Sequence, residues 1–311
     1  MALLTRIYFN AVFGALGGLL GWLLFGVFGD PGTSERRQWL LGGAVIGGSI
    51  GYFVVSVEAI RDRSLVRFCR LASYGVVLGA VGGALGMWLG ETVNYALVGQ
   101  IGARRDSFLP FLATMAARGL GWMLLGTAIG VSEGIAARSL GKFSYGTLGG
   151  ALGGFVGGAL FGGLYLAAIE WTTSHEAWAA LGGAVGLVTL GACIGALSAL
   201  VQAVFQAASV RVLRGWQEGR EYPLDKIDTL LGRDERADIA LFRDMKVEKR
   251  HAIIQRDRNR FVLINNHAPP EQTQVNGAAV ANTLDLNDGD RIQLGNVILR
   301  FQLREARRRK R

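Results

Sequence analysis

Catalysis, metal binding and ion transport each need particular residue types at close spacing, and this chain supplies few of them. The three histidines, His175, His251 and His267, are scattered along the sequence. Cys69 and Cys193 are too few and too far apart for a disulfide or metal framework. Neither cysteine has the histidine and cysteine company that a zinc site needs. There is no Gly-rich phosphate loop ending in Gly-Lys-Ser/Thr, and no nucleophile paired with a base. The chain is therefore expected to be no enzyme and to carry no cofactor or metal. Inside the apolar stretches only Arg118 and Glu133 bring charge near a span, whereas ion-coupled transporters and proton relays usually hold an ionisable group deep within one.

What the first two hundred residues do contain is glycine at helical spacing. Gly14-Ala15-Leu16-Gly17-Gly18-Leu19-Leu20-Gly21 recurs as Gly79-Ala80-Val81-Gly82-Gly83-Ala84-Leu85-Gly86 and as Gly150-Ala151-Leu152-Gly153-Gly154-Phe155-Val156-Gly157. A second word falls between the copies: Gly43-Ala44-Val45-Ile46-Gly47, Gly126-Thr127-Ala128-Ile129-Gly130 and Gly191-Ala192-Cys193-Ile194-Gly195. Spacing i, i+3, i+4, i+7 puts the glycines of each first word on one helical face. Such a face lets two backbones approach closely in lipid. The competing reading is a glycine-lined or broken-helix path for a solute.

Spans of about 20 apolar residues cross the hydrocarbon core. Charge-free stretches of that kind run over 7–28, 39–57, 71–90, 145–169 and 178–210, with a less clean one over 119–137. There Arg118 is expected to snorkel outward and Glu133 to lie near the opposite surface. The first stretch has no small-residue cleavage site after it and is expected to be a retained helix rather than a signal peptide. The sequence thus predicts a multi-pass α-helical membrane domain over 1–210, six helices in three tandem hairpins. Arg6, then Arg61, Arg63, Arg67 and Arg70, then Arg138 and Lys142, then Arg211 and Arg214 fall on one side. Asp30, Glu35, Arg36 and Arg37, then Glu91, Arg104, Arg105 and Asp106, then Glu170 and Glu176 balance the other. The positive-inside rule puts both termini in the cytoplasm, with Trp39, Trp88, Trp122, Trp171 and Trp178 near the outer boundary.

Composition marks a second domain. The chain is 18% charged, below the quarter or so usual for soluble domains. Residues 1–220 hold 15 Lys/Arg and 10 Asp/Glu, and residues 221–311 hold 18 and 14 in less than half that length. From Glu221 short apolar runs such as Ala252-Ile253-Ile254, Phe261-Val262-Leu263-Ile264 and Val297-Ile298-Leu299 alternate with Asn276-Gly277 and Asn287-Asp288-Gly289-Asp290. Short strands with such turns predict an all-β sandwich over 222–303, after a linker at 211–221.

The ordered series Leu231-Gly232-Arg233, Asp238-Ile239, Val247-Glu248-Lys249-Arg250-His251-Ala252, Val275-Asn276-Gly277 and Leu286-x-Asp288-Gly289-Asp290-x-Ile292-x-Leu294-Gly295 resembles the forkhead-associated (FHA) family over about 222–302. The resemblance implies an eleven-stranded sandwich that binds phosphothreonine peptides through loops at one end. It assigns partner binding to Arg233, Glu248, Lys249, Arg250, Glu271, Thr273 and Asn276, and structural roles to Gly232, His251, Gly289 and Asp290. His251 stands where the family's histidine braces the recognition loop. Two positions depart from the pattern. Glu248 occupies the place of the phosphate-binding serine, and Glu271 that of an asparagine. Serine donates to phosphate, whereas an ionised glutamate only accepts. The resemblance therefore implies a degenerate phosphothreonine pocket, with Arg233, Lys249 and Arg250 still attracting anions. Glu248 either pairs with Arg233 as a built-in phosphate substitute or is a solvated loop carboxylate.

The polybasic tail 304–311 reads either as a solvated terminus or as a contact for anionic lipid headgroups. Basic charge placed beside apolar spans fits a bilayer surface better than nucleic acid. The Arg, Ala and Gly bias looks bacterial. These features fit a scaffold or adaptor of the bacterial inner membrane that presents an FHA-like domain to a cytoplasmic protein, in Ser/Thr phosphorylation signalling or independently of it. The alternatives are a channel or transporter gated by that domain, and a subunit of an envelope or secretion assembly. Glycine faces shared between copies would make the last a homo-oligomer.

Overall fold

A computed structural model describes residues 3–28, 34–62, 65–101, 109–170, 175–258 and 260–303. The described residues divide into two compact units, 3–204 and 205–303. Loop residues Asp30, Arg63, Arg104, Arg105, Asp106 and Trp171, and the whole tail 304–311, lie outside the described residues.

The described residues of the first unit form six helices: α1 (Leu3–Phe28), α2 (Glu35–Asp62), α3 (Leu65–Ile101), α4 (Leu109–Ala137), α5 (Leu140–Glu170) and α6 (His175–Phe205). All six are long and apolar enough to cross a membrane. Glycine sits where neighbouring helices come closest. A Cβ added at Gly17 would lie 2.7 Å from Ile50 Cα of α2, and one at Gly153 2.6 Å from Ile194 Cα of α6. One at Gly121 would lie 2.8 Å from Gly90 Cα of α3. Between hairpins backbone meets backbone just as closely. An added Cβ would overlap the facing carbonyl in the pairs Gly47–Gly79, Gly126–Gly150 and Gly191–Gly14. One turn away the same holds for Gly51–Gly75, for Gly130 against Gly146 and for Gly195 against Asn10. Glycine contacts therefore link each helix to the next and α6 back to α1. By these contacts Gly47 and Gly51 hold the place in α2 that Gly126 and Gly130 hold in α4, one turn later than the word Gly43–Gly47 implies.

Inside this ring the even helices carry the bulk. Ile46 and Ile50, Leu125 and Ile129, and Leu190 and Ile194 are all buried in one aliphatic cluster. Trp122 joins it at 4% exposure, edge-on to Phe161, so it is a packing residue and not the interfacial belt residue the sequence predicts. Arg118 also differs from its expected outward course. Its guanidinium lies 3.3 Å from Glu91 of α3 and 5.2 and 5.0 Å from the rings of Phe161 and Tyr165 of α5. Side-chain exposures of 14% and 17% explain the pairing, because neither charge reaches enough water to stand alone. Glu133 accepts a hydrogen bond from Gln202 of α6, whose carbonyl in turn accepts from Arg6 of α1 at 2.9 Å.

The described residues of the second unit form an eleven-stranded sandwich. Its strands are β1 (Ala208–Arg214), β2 (Glu221–Pro223), β3 (Asp228–Gly232), β4 (Ile239–Ala240), β5 (Ala252–Asp257), β6 (Arg260–Asn265), β7 (Thr273–Val275), β8 (Ala278–Ala279), β9 (Thr283–Leu286), β10 (Arg291–Leu294) and β11 (Val297–Leu303). One sheet runs β2-β1-β11-β10-β7-β8 and the other β4-β3-β5-β6-β9. Val210, Leu231, Leu263, Ile292, Leu299 and Phe301 are among the fully enclosed residues between them.

The domain boundary differs from the sequence expectation. Residues 206–210 do not continue α6, and 211–221 is not a free linker. Ala208–Arg214 pairs antiparallel with both β11 and β2, so the sandwich begins at Ala208. The reason is local: Ser209-Val210-Arg211-Val212 alternates polar with β-branched residues, the period of a half-buried strand.

Two substitutions separate close packing from mere glycine content. Gly126→Leu would drive a side chain into Gly150, and it should destabilise the helical unit by about 1–3 kcal/mol or more. Gly26→Ala meets nothing within 4 Å and should leave stability within about 0.5 kcal/mol. Thermal unfolding in detergent reads both.

Candidate recognition loops

Three loops of the sandwich are tied together at one end. The first follows β3, where Gly232 presses on the second. A Cβ there would overlap the Lys249 carbonyl and lie 3.2 Å from Arg250 Cα. That approach lets the Arg233 N–H donate to the Glu248 carbonyl at 2.9 Å and the Asp234 N–H to the Lys249 carbonyl at 3.2 Å. Asp238 anchors the base of this loop, accepting from the Leu230 N–H at 3.0 Å and pairing with Lys226 at 2.7 Å.

His251 joins the second loop to the third. It is 0% exposed. Its Nδ1 accepts from the Glu248 N–H at 3.0 Å, which leaves Nε2 to carry the proton and donate to Thr273 Oγ1 at 3.0 Å. Thr273 is itself fully buried, so its hydroxyl faces His251 rather than solvent. Burial pushes the His251 pKa below its ordinary value, against smaller raising effects from the Gln272 backbone, Glu248 and Asp244. The neutral ring is thus the one that fits.

Around this brace lie the charged groups. Arg233 is half-buried, its Nη1 donates to Met245 Sδ at 2.9 Å, and its buried Nε has no hydrogen-bond partner among the described residues. Glu248, Lys249 and Arg250 are exposed. No ion pair joins Glu248 to Arg233 among the described residues; the two loops meet through the backbone instead, which corrects the pairing the sequence left open. An exposed carboxylate gains little from such a pair relative to hydration. Glu271 is exposed in a short 3-10 turn, Pro270–Gln272, just ahead of Thr273.

Asn276 sits apart from this cluster by its bonding. Its amide donates to Asp290 at 2.8 Å, and its carbonyl accepts from the Arg291 N–H at 2.9 Å. With Gly277 it forms the two-residue turn between β7 and β8, both residues at positive φ of 52° and 87°. Asp290 also accepts from the Asn287 N–H at 2.7 Å, and Gly289 takes φ 89° in the same turn. Sequence reading missed three contributors. Met245 is 78% exposed beside Arg233. Asn266 fixes the Arg250 carbonyl at 2.8 Å. Asp244 accepts from the Lys246 and Asn296 amides at 3.1 and 2.6 Å. None belongs to a residue pattern that spacing alone would mark. Among the described residues no three His, Cys, Asp or Glu side chains converge.

A six-stranded and a five-stranded sheet carrying this loop cluster define the unit as an FHA-like sandwich. Residues 211–305 match the family described as the inner membrane component of T3SS, cytoplasmic domain. Among solved structures, the unit is similar to the FhaA FHA domain, solved in complex with the intracellular domain of Rv3910, at 29% identity over 31% of this chain and 100% of that one, with a TM-score of 0.28. Rv1747 FHA-1 from Mycobacterium tuberculosis matches at 26% identity over 32% and 97% of the two chains, with a TM-score of 0.28. The FHA domain of the CT664 protein from Chlamydia trachomatis matches at 24% identity over 32% and 99%, with a TM-score of 0.29. No curated protein matches the chain. The protein is thus membrane-anchored with a C-terminal FHA-like domain.

The buried histidine makes stability depend on pH. A folded-state pKa held below the ordinary 6.5 means that the unfolded chain binds the proton more readily. The contribution is therefore complete above about pH 7 and falls as pH drops through 6.5 toward the folded value, with a slope of at most about 1.4 kcal/mol per pH unit. Urea titrations of residues 206–303 between pH 7.5 and 5 should show this loss. His251→Gln should lower stability at pH 7.5 and flatten the slope.

Proposed function

We propose that this protein is a non-enzymatic adaptor of the bacterial inner membrane, whose FHA-like domain docks a cytoplasmic protein through the loops around Arg233, Lys249 and Arg250. The observation that carries this reading is the Arg233 guanidinium. It is half-buried, with Nε unpartnered among the described residues, and it is steadied by Met245 rather than neutralised by a carboxylate. A partner oxygen would complete it. Loop charge supports placing both termini in the cytoplasm.

The docked segment is not a phosphothreonine peptide of the ordinary kind. Glu248 is an exposed carboxylate with no cation partner among the described residues, at the place where a donor to phosphate is needed. It repels a phosphate and favours a segment that offers donors to Glu248 and an acceptor to Arg233. The match to a T3SS inner-membrane family favours a place within an envelope or secretion assembly over a signalling cascade.

A phosphothreonine peptide library titrated onto residues 206–303 should show no micromolar binder, and Glu248→Ser should create one. Micromolar binding by the unaltered domain would contradict the degenerate pocket. Arg233→Ala should weaken capture of the native partner at least tenfold, since it removes a buried charged donor worth about 1.5–3 kcal/mol. Phosphatase treatment of the partner should change capture little.

A further inference from the structure

The outer face of the six-stranded sheet holds a row of like charges far from the recognition loops in its bonding. Strand register sets Arg211 of β1 directly opposite Arg300 of β11, and Arg300 directly opposite Arg291 of β10. All three are exposed, while their neighbours in sequence, Val212, Leu299 and Ile292, point into the core. Directly opposed side chains in an antiparallel pair have Cβ atoms about 4.5–5.5 Å apart, and like charges there are destabilising. None of the three guanidinium groups has a hydrogen bond or ion pair among the described residues. The outward neighbours Gln274, Gln293, Ile298 and Gln302 are uncharged. At the sheet edge Glu221 stands opposite Arg211 in register and accepts from Ser209 Oγ at 2.7 Å. In the nearby β9–β10 turn Asp288 accepts from the Leu303 N–H, and Asp290 accepts from the Asn276 side chain and the Asn287 N–H.

The cost of three opposed arginines is offset when an anionic surface faces them. We infer that Arg211, Arg300 and Arg291 dock the sandwich on anionic lipid headgroups. Charge complementarity is the first argument. The chain path is the second: only Gln206 and Ala207 separate the last residue of α6 from β1, so the covalent path from Phe205 to Arg211 is at most about 22 Å. A short tether keeps the local concentration of the row at the bilayer high, so even weak contacts are populated. Arginine suits the task because its guanidinium binds phosphate oxygens in bidentate geometry. This docking is independent of the recognition loops and of the tail.

The test uses the full chain in nanodiscs of phosphatidylcholine and of mixed phosphatidylcholine and phosphatidylglycerol, with phenylglyoxal modification read residue by residue by mass spectrometry. Phosphatidylglycerol should slow modification of Arg211, Arg291 and Arg300 by about fivefold each, and high salt should abolish the protection. Exposed Arg236 and Arg258 should react equally in both discs. The same pattern should persist after removal of 304–311. Equal reactivity of the three arginines in both discs overturns the inference. So does protection seen only in native membranes, which would assign the row to an acidic protein or a nucleic acid.

Discussion

Backbone pressed against backbone, with no room for a Cβ, is the constraint on which both units rest. In the helical unit it occurs at Gly47–Gly79, Gly126–Gly150 and Gly191–Gly14, where a methyl group would collide with a carbonyl. Lipid supplies no hydrophobic drive between helices, so close packing and weak Cα–H contacts must do the holding. The arrangement leaves room at the centre for Ile50, Ile129 and Ile194, which are completely buried. In the sandwich the same constraint acts at Gly232 against Lys249. There it brings Arg233 to the loop that carries Glu248, Lys249 and Arg250.

The loop end of the sandwich then works as one braced body. Gly232 sets the distance between two loops, and His251 reaches from the second to Thr273 before the third can part from them. Because the brace is made of buried neutral groups, the charged groups outside it are free to meet a partner. The brace needs no ligand to form, so recognition begins from an ordered site and loses little entropy on binding. The departure at Glu248 changes what the site accepts without touching what holds it in shape.

Much of this was legible in the residues because backbone geometry demanded them. Glycine at helical spacing, Asn276-Gly277 at a hairpin turn and Asp290 beside Gly289 each answer a local requirement, and local requirements are written at short spacing. Other features join distant residues. Arg118 finds Glu91 only because α3 runs on to Ile101, well past the apolar stretch that ends at Gly90. Arg233 meets Met245, and Arg211, Arg300 and Arg291 share a row, through loop path and strand register. The end of α6 was hidden for a different reason. The uncharged run continues through Val210 without a break, while the change from helix to strand depends on pairing with β11 and β2.

The central claim is that the loops around Arg233 form the contact surface for a protein partner. A photo-crosslinking amino acid placed at Lys249 in the full chain in cells tests it most directly, with the same group at Arg258 as the comparison. The account predicts a discrete protein adduct from Lys249, diminished by Arg233→Ala and unaffected by phosphatase treatment before capture. No adduct from Lys249, or the same adduct from both positions, would contradict it.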